Sequence, residues 1–236
     1  RSQAVTVQAP IDSAYGFLAN YNGGYHTVSG ISIESSATAI GLFGTIERRG
    51  TVRNLFLTGR VGTEQIVVRN ADGGSAVSGS RYSSQVGALA GVNSGTIQNC
   101  AVSGYTMRYY GYRSNVVTIG GMAGCNYGTI RNSSAAAADI SLANTNATAY
   151  AGGFAGRNNG TILNSYALGS ITVLDARNST VWIAGFAADN ASGMIRRCYA
   201  ATALTASGTA ESYGFAHTGG AAVECRYLDG GTYSYA

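Results

Sequence analysis

The sequence contains no lysine, a single proline and few charges. All fifteen basic residues are arginine, and charged residues of both signs make up only 11% of the chain. The lack of lysine excludes lysine-based catalysis and isopeptide cross-links formed by this chain. The net charge of +4 is small and the arginines are scattered, so the composition predicts no nucleic-acid partner. No apolar run is long enough to cross a bilayer as a helix, so no membrane-spanning segment is predicted.

The common catalytic and metal-binding motifs are also missing. The chain has no His-Glu-x-x-His, no nucleophile elbow and no phosphate-binding loop. Its two histidines, His26 and His217, lie in the first and last parts of the chain, and no pair of cysteines has the spacing of a zinc site. We therefore predict no metal, no cofactor and no enzymatic activity.

What the chain does contain is a repeated pattern rich in glycine, of which there are 34 residues. A Gly-x-x-Gly block is followed by Gly-Thr-Ile-x-Asn, and the copies recur with a period of 32–33 residues. An earlier copy at Gly41–Gly44 is separated from the next block by 47 residues, which indicates an insertion. The clearest blocks are Gly87–Gly91, Gly121–Gly124 and Gly153–Gly156, with a degenerate copy at Gly185–Ala188. A fixed period indicates one small unit stacked on copies of itself.

The apolar residues within each unit alternate over short runs, as in Thr161–Leu168 and Thr180–Ala184, which is typical of strands. Like strands of successive units then stack in parallel. We predict an all-β chain folded as a right-handed parallel β-helix (β-solenoid) of roughly six coils. One domain covers 1–236: an N-terminal cap and first coil at 1–40, the repeats with an insertion near 60–85 at 41–213, and a short last coil and C-terminal cap at 214–236.

Three repeated positions have predicted structural roles. The block glycines allow positive φ and close approach between coils. The Asn after Thr-Ile-x hydrogen-bonds its copies above and below. One large apolar residue per block forms an internal ladder, made by Leu89, Met122, Phe154, Phe186 and Phe215.

Three of the four cysteines follow the same repeat landmark. Cys100, Cys198 and Cys225 stand where other copies have Ser133 and Ser165, so we predict small buried side chains in one internal row. A Cys198–Cys225 disulfide is the alternative. The fourth, Cys125, follows its glycine block, and we expect it to be exposed.

The acidic residues do not stack on one face as paired catalytic carboxylates would. Measured from the repeat's Asn position, Asp139, Asp175 and Glu211 fall at different offsets. This spacing argues against a hydrolase site.

Candidate functional residues are therefore sought on the surface. The segment Tyr105–Arg113 combines tyrosines and arginines in the proportions of a recognition surface, although its tyrosines could instead simply pave the outside of the coil. The insertion, with Arg69, Asp72–Gly74 and Arg81–Tyr82, is expected to protrude as a loop. The predicted binding residues are Tyr105, Arg108, Tyr109, Tyr110, Tyr112 and Arg113.

The ends of an open solenoid expose strand edges, which natural proteins cap or charge. At the N-terminal end, Ala4, Val5, Thr6 and Val7 form a short strand that could pair with a neighbouring copy. These four residues are the predicted self-assembly site.

The repeat resembles the GLUG repeat family, whose units read Gly-Gly-hydrophobic-x-Gly-x-Asn-x-Gly-Thr-Ile-x-Asn-Ser/Cys-Tyr-Ala. Residues Gly152–Ala167 match that pattern nearly throughout, and the likeness extends over about Gly41 to Ala200. The resemblance implies a parallel β-helix and an extracellular bacterial setting, since the family occurs in secreted and surface-anchored bacterial proteins, including adhesins and the non-catalytic part of immunoglobulin A metalloproteases. It implies no catalytic residue.

We therefore predict a non-catalytic structural or adhesive β-solenoid of the bacterial cell surface, acting as a spacer, binding module or self-assembling fibre subunit. Its partners would be further copies of the chain, or a surface protein or glycan. Two alternatives stay open. One is the β-helical module of a larger secreted enzyme such as an immunoglobulin A-type metalloprotease; the other is a carbohydrate-active β-helix.

Overall fold

Parallel strands account for nearly all the regular structure of the chain. The computed structural model describes residues 5–7, 10–11, 15–35, 37–59, 65–69, 84–110, 116–143, 148–174, 176, 180–229 and 232–235. No helix occurs among these residues. The strands form three sheets that run along the axis of a β-solenoid, and five successive coils contribute to all three in turn.

Two of the sheets are built from short strands. Sheet 1 has six strands: Ala39–Ile40, Ser84–Gly87, Val116–Gly120, Thr148–Gly152, Val181–Ala184 and Ala210–Tyr213. Sheet 2 has five strands: Phe43–Ile46, Ala90–Asn93, Ala123–Asn126, Ala155–Asn158 and Ala187–Asp189.

Sheet 3 is the largest, with seventeen strands. In chain order they are Val5–Val7, Asn20–Ser29, Ile31–Ser35, Thr51–Thr58, Gln65–Arg69, Thr96–Gln98, Ala101–Ser103, Thr106–Tyr110, Thr129–Arg131, Ser134–Ala143, Thr161–Leu163, Tyr166–Val173, Met194–Arg196, Tyr199–Thr205, Ala221–Val223, Arg226–Asp229 and Thr232–Tyr235.

The sequence repeat sets the pairing of the coils. The Thr-Ile-x segments pair in register, so that Ile97, Ile130, Ile162 and Ile195 form one buried column inside the coil. Phe43 pairs with Ala90, which places the early Gly41–Gly44 copy directly on the next block despite the longer spacing. The strands make about five turns, close to the six predicted, and the all-β solenoid is confirmed.

The glycine blocks allow neighbouring coils to approach closely. A Cβ atom on Gly120 would lie 2.1 Å from the carbonyl oxygen of Ala123 and 2.6 Å from the Cα of Ala155. The positive φ that we also expected is not found at the block glycines among the described residues. Close approach is therefore the reason that glycine is required here.

The large apolar residue of each block forms the predicted internal ladder. The rings of Phe154 and Phe186 stack with centroids 4.8 Å apart and an interplanar angle of 3°. Phe186 and Phe215 continue the stack at 5.0 Å. Leu89 and Met122 occupy the same buried position in earlier coils. This row forms part of the hydrophobic core of the coil.

The Asn after Thr-Ile-x forms the predicted hydrogen-bonded ladder, which we call the turn Asn ladder. Its members adopt positive φ, between 49° and 54° for Asn54, Asn99, Asn132 and Asn164. The Nδ2 of each donates to the Oδ1 of the preceding member, at 3.1 Å, 3.2 Å and 3.1 Å along the row. Asn22 extends the row at its N-terminal end. The left-handed conformation explains why Asn recurs at this position.

A second ladder, buried at the end of the sheet 2 strands, has no counterpart in the roles predicted from the sequence. We call it the buried Asn ladder. Here Nδ2 of Asn93, Asn126 and Asn158 each donates to Oδ1 of the next member, the last being Asn190, over 2.8 Å in every case. All four side chains are buried. The ladder satisfies polar groups that would otherwise be costly inside the coil.

The ends and the insertion also belong to sheet 3. Val5–Val7 pairs in parallel with Ile31–Ile33 of the same chain. Gln65–Arg69 lies between Ile33–Ser35 and Thr106–Tyr110, so this part of the insertion is a strand and not the protruding loop we expected. At the other end, Thr232–Tyr235 returns antiparallel to Arg226–Asp229 and covers the edge of that strand.

Candidate functional site

The predicted Tyr and Arg segment is divided between the core and the surface. Residues Thr106–Tyr110 form a strand of sheet 3, and Tyr105 and Tyr109 are each only 1% exposed. They point inward with Met107, while Arg108 is exposed. Because they are buried, these two tyrosines are part neither of a binding surface nor of a tyrosine layer on the outside of the coil.

The other members of that segment lie outside what the structure describes. This holds for the side chain of Tyr110 and for Tyr112 and Arg113, as well as for Asp72–Gly74, Arg81–Tyr82 and Ala4. A ligand at Arg108 and self-assembly through Val5–Val7 stay predictions. The structure adds only that one edge of the Val5–Val7 strand is already paired within its own chain.

The cysteines are buried, including Cys125, which we expected to be exposed. Cys125 is 3% exposed and its sulfur lies 3.2 Å from Oγ1 of Thr118. Desolvation raises the pKa of this thiol. Desolvation also raises the pKa of Cys100 to about 11. Such thiols are protonated near neutral pH and are poor nucleophiles.

The row of Cys and Ser has one shared hydrogen bond, which explains why the two residues alternate. Ser133 and Ser165 donate to the carbonyl oxygen two residues earlier, at 2.9 Å and 2.8 Å. Cys100, Cys198 and Cys225 make the same contact at 3.3 Å. Cys198 and Cys225 are free thiols, and their interaction with each other raises the pKa of Cys198 and lowers that of Cys225.

Stacked aromatic rings form a surface cluster on the C-terminal coils, which we call the aromatic cluster: Tyr150, Trp182, Tyr213 and His217. Tyr150 and Trp182 stack with ring centroids 4.9 Å apart. His217 lies between Trp182, at 5.7 Å, and Tyr213, at 4.3 Å. All four side chains are half-buried, so part of each remains accessible. The cluster therefore offers a rigid amphipathic surface.

An ion pair supports one side of the aromatic cluster. Nε of Arg157 lies 2.7 Å from Oδ2 of Asp189, and the guanidinium carbon lies 4.8 Å from the centre of the Tyr150 ring. Desolvation acts to lower the pKa of Arg157, but the hydrogen bond and charge of Asp189 outweigh it and raise the pKa above its ordinary value. The arginine is therefore held as a fixed cation against the ring.

The carboxylates near the aromatic cluster are already engaged. Asp189 is 8% exposed and accepts further hydrogen bonds from Thr218 Oγ1, at 3.1 Å, and from the Ala191 amide, at 3.0 Å. Glu211 accepts one from the Tyr213 hydroxyl at 2.6 Å, which raises the pKa of Tyr213. These contacts orient the rings. They leave no free pair of carboxylates facing one ligand atom at this cluster.

The sequence contains a signal for the aromatic cluster that the spacing of the acidic residues alone does not reveal. Tyr150 and Trp182 are one repeat period apart, as are Arg157 and Asp189, and each pair occupies one column of adjacent coils. Cys125, Arg157 and Asp189 lie in one column of adjacent coils. Opposite charges one period apart predict an ion pair along a solenoid.

Neither a metal-binding cluster nor a membrane-spanning helix is found in the part of the chain that the structure describes. Within it, no three His, Cys, Asp or Glu side chains are grouped so that they could hold a metal ion. The same residues include no helix with the length and apolar character needed to span a bilayer.

Comparison with known proteins supports the repeat assignment. A search of curated proteins and a search of solved structures give no match to this chain. The family model of the GLUG motif matches residues 147–172, which include the copy with Phe154 and Asn164. The chain therefore contains a GLUG repeat, as the resemblance predicted.

Proposed function

We propose that the chain is a non-catalytic binding scaffold of the bacterial cell exterior, in which stacked GLUG coils display a surface for a glycan or protein partner. The observation that carries this proposal is the buried Asn ladder. The repeat's polar side chains bond to their own copies and hold the coils together. They do not converge on a reaction centre, as acid and base groups of an enzyme must.

The extracellular setting rests on the family. The GLUG match at residues 147–172 links this chain to repeats that occur in secreted and surface-anchored bacterial proteins. The aromatic cluster supports the adhesive role, because clustered aromatic residues beside an arginine are characteristic of recognition surfaces.

Attachment of beads coated with the purified chain tests the binding role. The beads are applied to surfaces carrying glycans or extracellular proteins, and we expect attachment well above that of albumin-coated beads. A double variant, Trp182→Ala with Tyr213→Ala, should reduce attachment at least about fivefold if the aromatic cluster is the contact surface. Tyr15→Ala is the matched control, because Tyr15 is 90% exposed and lies elsewhere.

The same preparation tests the absence of catalysis. It is incubated with chromogenic glycosides and peptides, and no turnover is expected. Turnover that disappears in Glu211→Gln would overturn the non-catalytic proposal, and attachment no better than albumin on every surface would overturn the binding role.

A second candidate function is the β-helical part of a larger secreted enzyme. It is favoured by a cavity of about 400 Å³ at the last coil, with Phe215, Ala222 and Tyr227 in its lining. This cavity, lined by both polar and apolar side chains, could receive another segment or domain. Analytical ultracentrifugation distinguishes an enzyme module from the self-assembling fibre subunit that the sequence also predicts. A fibre subunit self-associates as its concentration rises, and a module does not.

A further inference from the structure

A second surface depression lies beside the turn Asn ladder, on the outer face of sheet 3. It has a volume of about 360 Å³, and its wall and floor follow one column of in-register residues: Phe56, Ala101, Ser134 and Tyr166. Two small residues thus separate two aromatic residues along the axis. At about 4.8 Å per coil, the aromatic walls stand about 14 Å apart. We call this depression the ladder groove.

The aromatic walls of the ladder groove present ring surface to solvent. Tyr25 is 62% exposed and packs on Phe56, with centroids 6.1 Å apart, at one end. Tyr166, at the other end, is 42% exposed. Exposed rings that flank a floor of small side chains leave room for a flat ligand to lie against them.

The turn Asn ladder supplies the polar side of the groove. Asn99, Asn132 and Asn164 all line it. A primary amide has two N–H donors and two acceptor lone pairs. Within the ladder Asn132 uses one of its N–H groups and one lone pair, and its side chain is exposed. The groove therefore presents a row of amides that can each donate and accept, spaced about 4.8 Å apart.

The groove-lining residues carry no charge. A nucleic acid needs cations for its phosphates, so it fits poorly here. An extended peptide adds to an unpaired strand edge, whereas the groove lies on the face of a sheet whose strands Ala101–Ser103 and Ser134–Ala143 are paired with each other. A sugar has hydroxyls that both donate and accept, together with an apolar face that stacks on an aromatic ring. The volume of the ladder groove lies within the usual range of small-ligand sites.

We propose that the ladder groove binds a short neutral oligosaccharide, with sugar rings against Tyr25 and Tyr166 and hydroxyls on the Asn99, Asn132 and Asn164 amides. This deepens the proposed function, on which it rests, by naming the ligand class. It also places binding at a site separate from the aromatic cluster.

The test combines a glycan array with titration calorimetry, using neutral gluco-oligosaccharides and N-acetylglucosamine oligosaccharides as probes. Ala101→Tyr should fill the groove, and the fold should tolerate it because the preceding coil already carries Phe56 in that column. Tyr166→Ala removes one wall. Each variant should weaken binding by about tenfold or more, while Tyr15→Ala leaves it unchanged. Circular dichroism and thermal melting verify that all variants remain folded.

Three results would overturn the inference. They are neutral-glycan binding that persists in both groove variants, binding restricted to sulfated glycans or nucleic acid, and no glycan binding at all. In the first case, loss of binding in the Trp182 and Tyr213 double variant would place the glycan at the aromatic cluster and leave the proposed function standing. Failure on every glycan and protein surface would overturn both.

Discussion

Asparagine serves two different purposes in each coil. In the buried Asn ladder, Asn126 is fully enclosed and hydrogen-bonded to Asn93 and Asn158. In the turn Asn ladder, Asn132 is exposed and is selected chiefly by its positive φ of 52°. Water can replace the side-chain bonds of Asn132 but not those of Asn126.

We expect Asn126→Leu to destabilise the protein much more than Asn132→Gly. The first change removes three hydrogen bonds, those to Asn93, Asn158 and the Gly128 carbonyl oxygen. It leaves buried amide groups of Asn93 and Asn158 unsatisfied, at a cost of about 2–4 kcal/mol. The second keeps the left-handed conformation, since glycine adopts it freely, and should cost less than about 1 kcal/mol. Urea unfolding of both variants measures the difference. Equal losses would contradict a special role for burial.

At the scale of the element, the turn between sheets 1 and 2 is limited by contact with the next coil. Gly120 has the backbone of Ala123 and Ala155 where a side chain would begin. Its backbone conformation does not require glycine, so the restriction comes from Ala123 in its own turn and from Ala155 in the next coil. The inner row of Phe154, Phe186 and Phe215 is fixed by the same spacing.

Gly120→Ala should therefore strain its own turn and push the next coil away, whereas Gly219→Ala should have almost no effect. Nothing lies within 4 Å of a Cβ atom placed on Gly219. We expect a loss of more than about 2 kcal/mol for Gly120→Ala from overpacking, and a change within about 0.5 kcal/mol for Gly219→Ala. Thermal and denaturant unfolding provide the comparison. A neutral Gly120→Ala would show that the coils can separate without penalty.

At the scale of the whole molecule, each coil interacts mainly with its two neighbours. The five strands of sheet 2 stack in sequence order, and the coil interior is one continuous core. At about 4.8 Å per coil, five coils rise only about 24 Å.

Excision of one full period should leave a folded protein. Deleting residues 116–147 joins Asn115 to Thr148, which is the in-register partner of Val116. Both Asn ladders can then re-form, Asn158 meeting Asn93 and Asn164 meeting Asn99, while the Arg157–Asp189 pair lies wholly beyond the deletion. We expect cooperative unfolding with a denaturant m-value lower by about a fifth, because one coil of about five is lost.

Deleting only residues 116–131 is the control for that experiment. It removes about half a coil and shifts every later pairing, so this variant should fail to fold. The circular dichroism spectra of the two deletions give the comparison. A misfolded full-period deletion, or a well-folded half-period deletion, would contradict the nearest-neighbour description.

The sequence by itself determined the coil and its pairing. The period aligned Gly124 with Gly156 and Asn132 with Asn164, and like residues then stack in parallel strands because identical units bury their faces best on one another. The same alignment predicted the inner Phe row and the shared position of Cys100 and Ser133. These features depend on local chemistry that repeats, so the sequence is sufficient for them.

The tertiary structure alone decided which side of each strand is inside and which columns meet across sheets. Tyr105 and Tyr109 are buried because sheet 3 pairs their strand with Gln65–Arg69 and Asp139–Ala143, and an aromatic run does not mark its own inner face. The aromatic cluster and the ladder groove form where residues from several coils come together. Their surfaces depend on the relative placement of whole columns, which a repeat period does not encode.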